Sequence, residues 1–397
     1  MKIAMYYPWI YLKGGPERTF IEIARRSRHD WTFFTSHYDR EGTFAELKDL
    51  GVVEVGKVSV KRNFSEVIRA GITIGRLKLD LDDYDAMVVS CDGLGNFLNF
   101  RNGSKPSICL CFTPLRAVYD HAYRARHLAR YSAIRPVALI FETVFKWFDR
   151  LAWARYDDVI CISDTVRRRV IDGGLFPAEG IGLCHPGVPA DRIKVSPERE
   201  SFFFLPGRLM WTKNIELGIE GFKRFRRSGT PGAKDFRLVI AGMVDAKSQE
   251  YYAKLRALAA GEDGIEFIET PTDDQMQDLY RRCYGLLFTA FNEDWGLTPI
   301  EAMVHGKPVI AVASGGPCEV VVDHETGRLM PAEEDAFAAA MAELAADPDL
   351  ARRMGEKGAE RAKLFTWERF VSELDDRLEN VVERAGQPVP RQAEAPA

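Results

Sequence analysis

Two doubly wound α/β domains are the fold class this sequence predicts, and three observations predict it. Short apolar runs alternate with helical patterns from the first residues onward, which implies a parallel sheet covered by helices. The rhythm stops near residue 187 and restarts near residue 201. A chain of 397 residues is also too long for one core, since single cores stop growing at roughly 250–300 residues.

The first domain, residues 1–190, opens on the run KIAMYYPWI, the helical pattern PERTFIEIARRS and the run WTFFTS, and continues with AMVVS, SICLCF and DVICIS. The stretch CHPGVPADRIKVSPERESF, with three prolines and mixed charge, reads as a linker over 187–200. The second domain, residues 200–365, repeats the pattern with SFFFLPGR, the helix NIELGIEGFKRFRR, then FRLVIAG, IEFIE, GLLFTAF and PVIAVAS. Thr366 can cap a last amphipathic helix over 366–384, on which Phe370, Val371, Leu374, Leu378 and Val381 share a face that needs a docking surface, expected on the first domain. Residues 385–397 have too little apolar content to pack and are expected to be disordered.

Composition narrows the class. With 46% hydrophobic and 28% charged residues the chain suits a globular protein, and no apolar run approaches the roughly 18–20 residues that cross a bilayer. Its N-terminus, MKIAMYYPWIYLKGG, reads as a first strand without the regions of a signal peptide, so a cytoplasmic protein is expected. The net charge of −4 argues against a nucleic-acid partner. Seven scattered cysteines suit reduced, buried thiols. Cys109 and Cys111 form a C-x-C pair on one side of a strand, with no second ligand pair nearby in sequence, so no metal site is expected there.

Three loops carry the chemistry. In NEDWGLTPIEAMVHGKPVIA, Glu293 precedes a glycine turn and Glu301 follows eight residues later. Thr298 reads as a helix N-cap, Pro299 as its first residue and Glu301 as its third. A capping box accounts for Thr298 and Glu301. It leaves Glu293, Asp294, Trp295 and Gly296 unexplained at the carboxyl end of a strand, where open α/β sheets bind ligands. The helix start at Gly296, Leu297 and Thr298 offers free N–H groups and a positive dipole end to an anionic diphosphate. In PGRLMWTKNIELGIEGF a strand ends at Gly207, Arg208 follows and Lys213 opens a helix. Two cations at a strand end suit an anionic ligand whose charge grows during reaction; the plain alternative is a solvated pair. Gly14 and Gly15, before Pro16 and Glu17, let a backbone come close to a ligand.

These segments resemble glycosyltransferase family 4, the group 1 retaining enzymes of GT-B fold, mannosyltransferase-like, whose motif E-G-F-G-L-x-P-x-E-A-M matches Glu293 and Glu301 in register. The resemblance implies two Rossmann-like domains facing a central cleft. It implies that Glu293 contacts the hydroxyls of the transferred sugar and Glu301 the ribose, that the amides around 296–298 face phosphate, and that Arg208 and Lys213 stabilise the leaving diphosphate. Gly14 and Gly15 match a loop placed against donor or acceptor. Gly315, Gly316 and Glu319, in SGGPCEVV, match an element on the donor side, although a strand-to-helix turn wants the same glycines. The stretch SICLCFTPLRAVYD is similar to the C-H-T-P-x-R-x-x-x-D pattern of mannosyltransferase-like members: Thr113, Pro114, Arg116 and Asp120 match, and Phe112 stands where the pattern has histidine.

The reaction the resemblance implies is a retaining, metal-independent transfer with no cofactor, a nucleotide-diphosphate sugar being the donor substrate. The TPLR stretch favours GDP-mannose and Phe112 opposes it, with a UDP-sugar the alternative. The expected acceptor is a saccharide or lipid-linked molecule of cell-surface polysaccharide or lipopolysaccharide synthesis. Residues 116–169 hold eleven Lys/Arg against six Asp/Glu and are rich in aromatics, which suits a peripheral contact with the inner face of a membrane or, equally, a packed helix pair. A non-catalytic nucleotide-sugar-binding subunit is the reading from another class. A metal-dependent transferase would need Asp-x-Asp at a strand end, and Asp80 and Asp82 precede their strand. A Rossmann oxidoreductase would need G-x-G-x-x-G after the first strand, which the Gly14 loop lacks.

Overall fold

The computed structural model describes residues 1–60, 64–91, 93–130, 135–245 and 248–386. The chain divides into two compact units, one formed by residues 1–185 with the chain from Glu368 onward, the other by Pro186–Trp367.

Among the described residues the first unit has a sheet of β1 (Lys2–Tyr6), β2 (Asp30–Thr35), β3 (Val53–Glu54), β4 (Ala86–Cys91), β5 (Ser107–Cys111), β6 (Asp158–Cys161) and β7 (Ile181–Leu183). Their spatial order is β3-β2-β1-β4-β5-β6-β7, with every pair parallel. The second unit has β8 (Phe202–Pro206), β9 (Arg237–Gly242), β10 (Ile265–Glu269), β11 (Gly285–Phe288), β12 (Val309–Val312) and β13 (Gly327–Met330). Their order is β10-β9-β8-β11-β12-β13, again all parallel. Each sheet therefore reverses its winding once, between β1 and β4 and between β8 and β11. The loops leaving two neighbouring strands there diverge to opposite faces and leave a crevice at the carboxyl ends.

The central strands β4, β5 and β8 are buried along their whole length, because a parallel sheet covered on both faces exposes neither side. That is why they read as continuous apolar runs. The edge strands differ: β3 is exposed at both residues and β13 only partly buried, and neither they nor the short β7 announce themselves in sequence. The helix Ile215–Arg227 packs closely on β8, where a Cβ on Gly218 would stand 2.2 Å from Leu205 Cδ1.

The stretch read as a linker is tied along the second unit. Lys194 N–H donates to Val304 O at 3.1 Å, Ser196 N–H to His305 O at 3.0 Å and Glu200 N–H to Arg282 O at 2.8 Å. The helix Trp367–Gly386 buries Phe370, Val371, Leu374, Leu378 and Val381, each worth about 1.5–3 kcal/mol on burial. Arg377 on it grips Asp158 of β6 with two hydrogen bonds of 2.5 and 2.8 Å. Ala385 and Gly386, expected in the tail, end this helix; residues 387–397 lie outside the described residues. No helix among the described residues is long and apolar enough to cross a membrane.

Candidate active site

The crevice of the second unit brings together the two loops that sequence singled out. Beyond β8 the backbone turns at Gly207, whose φ of 144° suits glycine. Gly207 O sits against the end of β9, where a Cβ on Gly242 would be 1.9 Å from it. Arg208 is exposed, and among the described residues its guanidinium has no acceptor. A short turn, Trp211–Lys213, then presents Lys213, whose Nζ donates to Glu293 Oε2 at 2.7 Å. Two further bonds lock the loops: Thr289 Oγ1 donates to Lys213 O at 2.8 Å, and Phe291 N–H to Thr212 O at 2.9 Å. Asn214 and Asn292, next to Lys213 and Glu293, both adopt left-handed backbone, at φ 48° and 46°. Asparagine tolerates that region better than most residues with a Cβ.

Behind Glu293, the Gly315–Gly316 turn closes on its backbone. Gly316 N–H donates to Glu293 O at 2.8 Å. A Cβ on Gly315 would lie 2.4 Å from that oxygen, and one on Gly316 2.3 Å from Trp295 O. These glycines thus serve the shape of the Glu293 loop, and Glu319 follows on the short helix Pro317–Val320 behind it, its carbonyl accepting from Arg361 at 2.6 Å. Trp295 is a buried anchor: its Nε1–H donates to Pro186 O at 2.8 Å and its ring meets Phe365 edge-on at 5.3 Å.

The following helix corrects one expectation. It spans Leu297–Val304 with Gly296 as N-cap and no side-chain cap, so Thr298 is its second residue and Glu301 its fifth. Gly296, with no side chain, lets the helix begin two residues early, and no capping box forms. Glu301 instead accepts from the Tyr280 hydroxyl at 2.6 Å. Burial, with the charge of Glu301 beside it, holds Tyr280 well above its ordinary range, so it remains a donor to the carboxylate.

Residues 189–361 match the family model described as glycosyl transferases group 1. The alpha-1,3/1,6-mannosyltransferase alg-2 of Neurospora crassa is 32% identical over 437 residues, covering 94% of this chain and 88% of that relative. The chain belongs to the group 1 glycosyl transferases. The alpha-1,3/1,6-mannosyltransferase ALG2 of Dictyostelium discoideum is 34% identical over 202 residues, and that match spans about half of each protein, 47% of this chain and 48% of the relative. A crystal structure of Anabaena HepE in complex with UDP superposes with a TM-score of 0.71 at 18% identity, over 96% of this chain and 100% of that one. That likeness gives the fold, a GT-B pair of Rossmann-like domains. As a glycosyltransferase the enzyme uses a nucleotide-sugar donor and an acceptor.

In the first unit the glycosyltransferase gathers Thr113, Arg116 and Asp120 around a residue the sequence did not reveal, Arg169. Asp120 pairs with Arg116 at 3.0 Å and Arg169 at 3.3 Å, and Arg169 Nη1–H donates to Thr113 Oγ1 at 3.1 Å. Burial alone would raise the Asp120 carboxyl. Arg169, the Tyr123 N–H and Arg116 outweigh it and hold the group below the usual range. Asp120 also caps the helix His121–Arg130, accepting from Ala122 and Tyr123 N–H at 3.2 and 3.1 Å. Phe112 is core, edge-on to Phe20 at 6.2 Å. Gly14 caps the helix Gly15–Arg26, where its Cβ would stand 2.6 Å from Glu17 Oε2; a Cβ on Gly15 would meet no atom within 4 Å.

Tyr280, Arg169 and Gly242 are the residues that sequence reasoning missed. Each acts on a partner far away in the chain, and none lies in a motif. The Lys213-Asn214 and Asn292-Glu293 pairs did carry a local signal, an Asn at a loop corner. Cys91 comes beside the C-x-C pair from the neighbouring strand.

Proposed function

We propose that this enzyme transfers mannose from GDP-mannose, with retention and without a metal, to a saccharide or lipid-linked acceptor of cell-surface polysaccharide or lipopolysaccharide synthesis. The observation that carries this reading is the Lys213–Glu293 pair at the point where the second sheet reverses, beside the exposed Arg208 and the start of the Leu297–Val304 helix. The diphosphate takes Arg208, Lys213 and the amides of Leu297 and Thr298, all fixed before the reaction, so the charge that grows on the leaving oxygen meets ready donors. Glu293 takes the sugar hydroxyls, and Glu301, oriented by Tyr280, takes the ribose. The departing phosphate accepts the proton of the acceptor hydroxyl as that oxygen attacks from the same face. Gly14, Gly15, Thr113, Arg116 and Asp120 belong to the acceptor side, on the first unit. The mannosyltransferase names of the relatives support the sugar.

A membrane-bound acceptor is supported by the helix Arg135–Trp153, on which Leu139, Ile140, Val144, Trp147, Phe148 and Leu151 are exposed, Ile140 at 67% and Trp147 at 60%. Six exposed apolar side chains on one helix suit a lipid headgroup boundary. The basic charge nearby is partly spoken for, since Arg124 and Lys146 both bind Glu142, at 2.8 and 2.6 Å.

The test is turnover of GDP-mannose and common UDP-sugars with a lipid-linked saccharide acceptor, with and without a chelator, the product read by NMR. The expected result is a chelator-insensitive α-mannoside from GDP-mannose. A β-linked product overturns retention. Turnover only with a UDP-sugar moves the donor to the alternative that Phe112 favours, since a buried phenyl ring supplies no hydrogen bond where the mannosyltransferase pattern has an imidazole.

A further inference from the structure

The first unit holds a cluster that the transfer reaction leaves unused. Cys91 ends β4, Cys111 ends β5 and Cys161 ends β6, and the parallel register sets Cys91 opposite Cys111 and Cys111 opposite Cys161. Cys109, two residues before Cys111, faces the same side. All four thiols are free and buried. The Sγ atoms of Cys91, Cys109 and Cys111 lie within 4.8 Å of one another, and Cys161 stands opposite Cys111 on the neighbouring strand.

A single buried cysteine is ordinarily a small apolar filler. This set has different company. Asn96 Nδ2–H donates to the buried Asp149 at 3.0 Å, the Tyr156 hydroxyl donates to Asn96 Oδ1 at 2.8 Å, and the Cys91 thiol faces Thr113 O at 3.7 Å. The Tyr119 hydroxyl and the Trp153 indole N–H are buried beside Asp149. Sulfur donors surrounded by oriented polar groups are how proteins build soft-metal sites.

We propose that Cys91, Cys109 and Cys111 bind one thiophilic d10 cation, Zn2+ or Cu+, with Cys161 as the adjoining thiol. Thiolates around such an ion, at bonds of about 2.3 Å, stand about 3.8 Å apart, so the sulfurs need to close by no more than about 1 Å. Each ligating thiol gives its proton to solvent, and no electron moves. The paired strands hold the ligands in place before the ion arrives. The ion links β4 and β5 at their carboxyl ends, beside Thr113 O, which Cys91 faces. The site plays no part in the donor chemistry proposed above, so either can fail without the other.

The test uses the full chain, stripped with a chelator under reducing conditions and checked for folding by circular dichroism. It is titrated with Zn2+ and, anaerobically, with Cu+, each against a chromophoric competitor. One equivalent of one of these ions is expected, with thiolate-to-metal charge-transfer bands when Co2+ replaces Zn2+, and protection of Cys91, Cys109 and Cys111 from alkylation read by mass spectrometry. Cys111→Ser is expected to weaken binding at least 100-fold, and Cys318→Ser, at the exposed thiol, to leave it unchanged. Should Cys111→Ser fail to fold, the Co2+ spectrum and the alkylation map of the wild-type chain decide alone. A folded wild-type chain that binds neither ion, binds without thiolate bands, or keeps its affinity in folded Cys111→Ser overturns the proposal.

Discussion

Lys213 and Glu293 lie 80 positions apart, yet the winding of one sheet brings their charges to 2.7 Å. About a quarter of each side chain is exposed, at 21% and 24%, and a pair so placed adds only about 0–1 kcal/mol to stability. Structure alone gives little reason to keep it, which is what a site residue looks like. Glu293→Gln, which keeps the shape and removes the charge, is therefore expected to lower kcat/KM about 100-fold or more while the melting temperature barely moves. Activity and thermal melts on the same preparation check this; a fall in stability that matches the fall in activity would make the pair structural. Both residues were legible in the sequence, because their motifs are local. Tyr280 was not, since its meaning lies in a hydroxyl held 2.6 Å from Glu301, 21 positions on. Arg169 was hidden for the same reason, a guanidinium that reaches Thr113 across 56 positions.

At the scale of elements, the loops behave as shaped parts. The Gly315–Gly316 turn is forced by the backbone it touches, and Gly316→Ala would drive a methyl into Trp295 O. The expected result is a loss of several kcal/mol, or a displaced Glu293 loop with donor KM raised about tenfold or more; denaturant melts and donor titration check it. Sequence gave this turn two readings, a ligand wall or a strand-to-helix corner, and the clash distances favour the corner. The helix starting at Leu297 shows a related limit. Ser/Thr-x-x-Glu spacing is a good capping signal, but Gly296 opens the helix early and frees Glu301 for Tyr280. Central strands were legible as apolar runs because both faces are covered, whereas β3, with its two exposed residues, has no pattern to read. The exposed stripe of Arg135–Trp153 was legible only as an excess of aromatic and basic residues; its burial decides which side chains face outward. Ile140→Glu with Trp147→Glu is expected to cut binding to anionic vesicles at least tenfold in a sedimentation assay, leaving the fold intact since both side chains are exposed. Unchanged sedimentation would remove the membrane reading.

For the whole molecule, the two units follow from the repeated strand–helix rhythm, but their membership does not: the chain returns from Glu368 to the first unit, and a stretch read as linker is bonded along the second. Long-range pairing of this kind leaves no local trace. Stability against acid also reflects the whole packing. His305, at the end of the Leu297–Val304 helix, is pushed down to about 4, by burial first and then by Lys307, Arg281 and Arg192. Its folded value lies below the unfolded value of about 6.5, so the unfolded chain binds more protons between the two. Stability is then lost as pH falls from about 6.5 toward 4, by at most one proton for this group. His305→Gln should flatten melting temperature against pH across that window; an unaltered slope would assign the loss to other groups. The central claim, a nucleotide diphosphate held where the second sheet reverses, is tested most directly by calorimetric titration of GDP, UDP and ADP into the wild-type chain and Lys213→Ala. One diphosphate, GDP on this account, should bind one per chain and weaken at least tenfold in the variant. Binding of none of the three, or equal binding by the variant, would contradict it.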